Sequence, residues 1–129
     1  MTDYVEVPIG STDGRRLYCE FVAIEAAHEL GISTPRVRFF LHRATPDGWP
    51  LESWRDERRL GGETRWWEPD AVWVLADLPR SDLAVTVAHE AHHLAYFSRY
   101  GVGCHTPREQ VRMELDAEIF ALRFTQRRT

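Results

Sequence analysis

Between Ser81 and Tyr100 the apolar residues Leu83, Val87, Ala91, Leu94 and Ala95 recur at helical spacing, and shortly afterwards Thr106-Pro107-Arg108-Glu109 opens a second helical stretch running to about Gln126. The start signals are specific. Ser81 offers a side-chain oxygen to cap the first helix. Thr106 caps the second, Pro107 takes the first helical position, where its missing N–H costs nothing, and Glu109 completes a capping box. Gly101 and Gly103 break the chain between them. Two helices joined by so short a connection fold back antiparallel, so the last third of the chain is predicted to be a helical hairpin.

The rest of the chain must pack against that hairpin. In residues 15–30, Leu17, Phe21, Ile24, Ala27 and Leu30 repeat at helical spacing, and Gly31 is placed to cap the C-terminus. Residues 36–42 begin in alternation after Pro35 and read as a strand. Residues 70–77, with Val72, Trp73, Val74 and Leu75 together, read as another, and Pro79 ends it. Residues 2–9 suggest a short strand or an extended arm. Residues 43–69 contain Pro46, Gly48, Pro50, Gly61 and Gly62 and read as mostly irregular, long enough to suggest a functional loop or a partly disordered one. The expected architecture is one α+β domain over residues 1–129: a short twisted sheet, an N-terminal helix and two C-terminal helices.

Composition narrows the function. With 129 residues a real core can form without disulfides. The formal charge of −4 and pI near 5.8 argue against binding nucleic acid through a global field. All 16 basic residues are Arg, so no Lys nucleophile or Schiff base can operate. Cys19 and Cys104 are far apart and support neither a disulfide framework nor a four-cysteine metal site. No secretory signal opens the chain, and no apolar run approaches the ~20 residues of a membrane helix. A cytoplasmic protein without membrane attachment is the expectation.

His89-Glu90-Ala91-His92-His93 spells His-Glu-x-x-His inside the first hairpin helix. Residues four apart on a helix project from nearly one face, about one turn apart, so His89 and His93 can reach one ion. Glu90 is displaced around the helix, placed for a general base rather than a ligand. A catalytic zinc usually takes three protein ligands and leaves a fourth position open. An inverted His-x-x-Glu-His order is absent, and the metzincin extension is absent too, because Tyr96 and Arg99 stand where it requires Gly and His. A Glu from the following helix is the remaining pattern. Glu114 lies at a suitable distance, and Asp116, about 200° around the helix from it, is a weaker alternative.

The run Glu114-Leu115-Asp116-Ala117-Glu118-Ile119-Phe120-Ala121 resembles the Glu-x-x-Ala-(Asn/Asp)-x-Phe-Ala box of the ImmA/IrrE family of gluzincin metallopeptidases and of the CAAX-type membrane proteases. The resemblance covers roughly residues 70–125. It implies a zincin-like fold, zinc held by His89, His93 and Glu114, and Glu118 as the acidic residue that fixes a ligand imidazole. It also implies hydrolysis of a protein or peptide substrate with Glu90 as general base. The chain departs from the family at His92, where a Gly is common, and at Leu122-Arg123-Phe124, where Leu-Met-Pro is usual. The alternative function is a non-catalytic metal-binding or interaction module on the same scaffold.

Other residues carry weaker expectations. His92, His105 and Tyr100 are candidates for the rim of the site or for contact with a transition state. His28-Glu29-Leu30-Gly31-Ile32 begins like the motif but ends in Ile. Trp66, Trp67 and Trp73 are candidates for a substrate groove, with the core an equal option for Trp73. Arg55, Arg58 and Arg59 read as a solvated charged face.

Overall fold

The computed structural model describes residues 4–42, 61–65, 67–101 and 106–127. Among these, four strands and three helices form a mixed α+β fold: β1 (Tyr4–Val7), α1 (Gly14–Leu30), β2 (Arg36–His42), β3 (Gly62–Glu63), β4 (Ala71–Leu75), α2 (Arg80–Tyr100) and α3 (Pro107–Gln126). The sheet order is β1-β2-β4-β3. β2 and β4 are parallel, with Val37 opposite Val72 and Phe39 opposite Val74, while β1 and β3 are antiparallel to their neighbours. The strands at 36–42 and 70–77 and all three helices lie where the periodicity places them. β3 is an addition, a two-residue strand in the stretch read as irregular.

The core forms between one face of the sheet and the helices. Val37, Phe39, Val72 and Val74 meet Leu83, Val87, Ala88 and Ala91 of α2, and Phe124 of α3 joins the same cluster. The opposite face of β2 and β4 is built differently. Trp73 is buried there, its indole N–H donating to Glu68 at 2.7 Å, with the guanidinium groups of Arg65 and Arg38 over its ring at 3.9 and 4.3 Å. Arg38 also pairs with Glu6 and Glu68. Stacked Arg on Trp, with carboxylates satisfying the guanidinium edges, covers that indole with charge rather than with another apolar layer.

Two local expectations require correction. α2 is not capped by Ser81: the N-cap is Pro79, in extended backbone, with no side-chain cap, so Ser81 already lies in the first turn. α1 also turns a different face to the core than its large residues suggest. Cys19, Val22, Ala23 and Ala26 are fully buried, while Leu17, Phe21 and Ile24 are about half exposed; Ala27 is buried, and Leu30 packs at the edge of the core. Small side chains on α1, packed against an α2 that is itself lined by Ala84, Ala88 and Ala91, allow a close approach of the two helices. That close approach, not side-chain size, selects the inward face. Two arginines fix the start of α1: Arg15 donates to the Leu78 carbonyl at 2.7 Å, and Arg16 donates to those of Ile9 and Val37 at 2.7 and 2.9 Å.

At the C-terminal hairpin the sequence signals hold. Thr106 and Glu109 form the reciprocal capping box, and Pro107 begins the helix. Ala117 and Ala121 are fully buried, on the side of α3 that carries Glu114 and Glu118 toward α2. No helix among the described residues is long and apolar enough to cross a membrane.

β3 presses on α2 at one point. A Cβ on Gly62 would lie 2.7 Å from Thr86 Cγ2, 3.0 Å from Glu90 Cγ and 3.0 Å from the Trp73 carbonyl oxygen. Only glycine fits, and the contact sets the spacing between this strand and Glu90. Gly62→Ala is therefore expected to lower stability by about 1–3 kcal/mol, the usual cost of overpacking. The check is a reduced urea midpoint at unchanged m; an unchanged midpoint would show that the contact is slack.

Candidate metal centre

Glu90 and His93 are the two buried polar or charged side chains among the described residues, at 7 and 6% exposure. Burying a carboxylate is costly unless partners offset the lost hydration, so its surroundings are informative. Glu90 lies on the side of α2 that meets β3. The Thr64 hydroxyl, just past that strand, lies 2.8 Å from Glu90 Oε1 and 3.1 Å from the Glu90 carbonyl oxygen. Burial pushes the Glu90 pKa up, against the opposing pull of His93, Thr64 and His89. A carboxylate so placed has a raised affinity for a proton and one oxygen fixed by a neighbour.

His89 and His93 stand one turn apart with their rings edge to face, centroids 4.8 Å apart. Glu114 reaches them from α3. Its Oε2 lies 3.0 Å from His89 Nε2 and its Oε1 3.2 Å from His93 Nε2. One ligand atom from each residue can be chosen so that all lie within 4.8 Å of one another, and this trio is the one such grouping of His, Cys, Asp or Glu among the described residues. Two ligand atoms on a tetrahedral zinc, with bonds of about 2.0–2.1 Å, sit roughly 3.3 Å apart. Glu114 meets each imidazole with a different oxygen, at 3.0 and 3.2 Å, and the set of one atom per residue spans up to 4.8 Å, so binding an ion would draw the donors together; two imidazole nitrogens with one carboxylate are a donor set that zinc accepts.

Behind the trio, Glu118 Oε2 lies 3.1 Å from His89 Nδ1. A carboxylate there favours a proton on Nδ1, so that with an ion bound the Nε2 lone pair would be the one to ligate it. His93 has no such partner: its Nδ1 is buried without a hydrogen bond, and its ring is held by stacking on Phe97, centroids 6.4 Å apart and planes 23° apart. Burial lowers the His89 pKa, but the neighbouring Glu114, Glu90 and Glu118 outweigh it and the net shift is upward. The two imidazoles hold the Glu114 carboxyl far below the usual range. Three carboxylates around two imidazoles make a field that favours a dication.

The remaining candidates separate. His92 turns to α3 and packs its ring on Phe120 with centroids 5.5 Å apart; it is not among the three grouped ligands. Tyr100 ends α2 with its exposed ring against Tyr96, two turns beyond His93 or about 10 Å of helix rise. Asp116 pairs instead with Arg112. Trp73 belongs to the packed sheet face, and Trp67 is exposed. His105, Trp66, Cys104, Arg55, Arg58 and Arg59 lie outside the described residues. Sequence reasoning missed Thr64 and Gly62. No motif marks them, because their role comes from β3 pairing with β4 beside α2, a long-range contact.

Glu118→Gln is expected to weaken zinc binding by about 10- to 100-fold without unfolding the chain, the usual effect of losing an outer-shell carboxylate. Chelator competition would read the change, and unaltered affinity would remove Glu118 from the site. A comparison with known protein families, with curated proteins and with solved structures finds no match to this chain.

Proposed function

We propose that the protein is a zinc-dependent peptidase, with His89, His93 and Glu114 as ligands and Glu90 as general base. The observation that carries this reading is the convergence of three ligand side chains from two helices beside a buried carboxylate. Three protein donors, as counted among the described residues, are the number of an open catalytic site rather than of a closed structural one.

Zinc in this site would polarise the scissile carbonyl and lower the pKa of a water toward neutrality. The protein's own groups do the rest. Glu90 takes a proton from the attacking water, and the new C–O bond forms at the carbonyl carbon. Glu90 then returns that proton to the amine nitrogen as the C–N bond breaks. Thr64 holds Oε1 of that carboxylate, so the proton is carried by a group with a fixed direction. Glu118 orients His89, and Phe97 supports His93. β3 is the end strand of the sheet as described and lies beside α2. A substrate in extended form can align with such a strand.

Glu90→Gln keeps the shape of the side chain and removes the base. Zinc content by elemental analysis is expected to stay at the wild-type level, while cleavage of a peptide library, followed by mass spectrometry, falls at least ~100-fold. Cleavage at the wild-type rate by the variant would contradict the mechanism.

A further inference from the structure

A cavity of about 480 Å³ lies along the C-terminal half of α2, and none of the proton chemistry above uses it. Leu94, Phe97 and Ser98 of α2 line it together with Ile32, Pro69 and Arg65. Two of these residues connect it to the metal trio. Phe97 is the residue stacked on His93. Arg65 directly follows Thr64, whose hydroxyl holds Glu90. The cavity therefore lies one helical turn from a ligand and one residue from the contact that fixes the base.

Its lining determines what fits. Ile32, Pro69, Leu94 and Phe97 offer apolar surface. The charges at its edge are already engaged within the protein: Arg65 donates to Glu63 at 2.7 Å and lies over Trp73, and Asp70 pairs with Arg36 at 3.0 Å. A charged side chain entering here would lose hydration and meet no unmatched partner. An aromatic one would gain burial and a ring partner in Phe97, a pairing worth more than area alone. The volume is ample for any aromatic side chain. An extended peptide advances about 3.4 Å per residue, so in a chain laid along α2 a side chain one or two residues from a carbonyl held at the trio would come level with Phe97, about 6 Å along the helix from His93.

We propose that this cavity is a specificity pocket for an aromatic side chain, carried by an extended peptide one or two residues from the bond that is cleaved. The proposal rests on the peptidase reading, and the test separates the two. Peptide hydroxamates chelate zinc through one end and can be made identical but for one side chain, glycine, leucine or phenylalanine, placed on either side of the chelating group. Their affinities for the zinc-loaded protein would be measured by calorimetry. The phenylalanine probe is expected to bind at least ~10-fold more tightly than the glycine probe. That gain should vanish in Ser98→Trp and in Thr34→Trp, which fill the cavity from two exposed positions on different elements. Equal affinities across the panel overturn the pocket and leave the metal site standing. A leucine probe equal to the phenylalanine probe contradicts the aromatic assignment, and a gain that survives both fillings places the selectivity elsewhere. If no hydroxamate binds, the peptidase reading falls with it.

Discussion

The arrangement depends on how closely α3 approaches α2. A Glu side chain is short, and Glu114 can set one oxygen against each of two imidazoles on the neighbouring helix only if the helix axes are near. The fully buried Ala117 and Ala121, at three and seven residues beyond Glu114 on the same face, provide that nearness because they add almost no bulk between the helices. Glu118 shares this face, so the packing that brings Glu114 to the imidazoles also brings a second carboxylate to His89 Nδ1. The capping box at Thr106 and Glu109 fixes where α3 begins, and hence which of its turns meets His89 and His93.

The sheet contributes from the other side. Glu90 is buried because β3 lies against α2, with glycine at the point of closest approach and Thr64 bonded to the carboxylate. One helix thus carries three candidate side chains with three environments: His89 open toward two acidic partners, His93 buried and stacked, Glu90 buried under a strand. The Glu114 and Glu90 carboxylates differ in proton affinity. The Glu114 carboxyl is held low by imidazoles, while the Glu90 carboxyl is pushed up by burial. Two carboxylates of the same type thus differ as the proposed roles require, Glu114 holding its charge and Glu90 favouring a proton.

Much of this was legible in the sequence because it is local. Helical spacing sets His89 and His93 on one face, the Thr106-Pro107-Arg108-Glu109 signal fixes the return helix, and the run from Glu114 to Ala121 names the residues that meet them. What was not legible depends on packing between distant segments. Leu17, Phe21 and Ile24 have the periodicity of a core face, yet α1 buries Cys19, Val22, Ala23 and Ala26, because small residues let it pack closely on α2. Ser81 has the chemistry of a cap, but Pro79 already ends the extended backbone one residue before the helix. Thr64 and Gly62 acquire roles only through the pairing of β3 with β4, a contact that no local pattern announces.

On the proposed reading, His89, His93 and Glu114 hold one zinc ion. Elemental analysis of the purified chain after dialysis against trace zinc, set beside Glu114→Ala, tests it most directly. One zinc per chain is expected in the wild type, with loss of that zinc in a variant that remains folded. Full zinc occupancy in the variant, or none in the wild type, would contradict it.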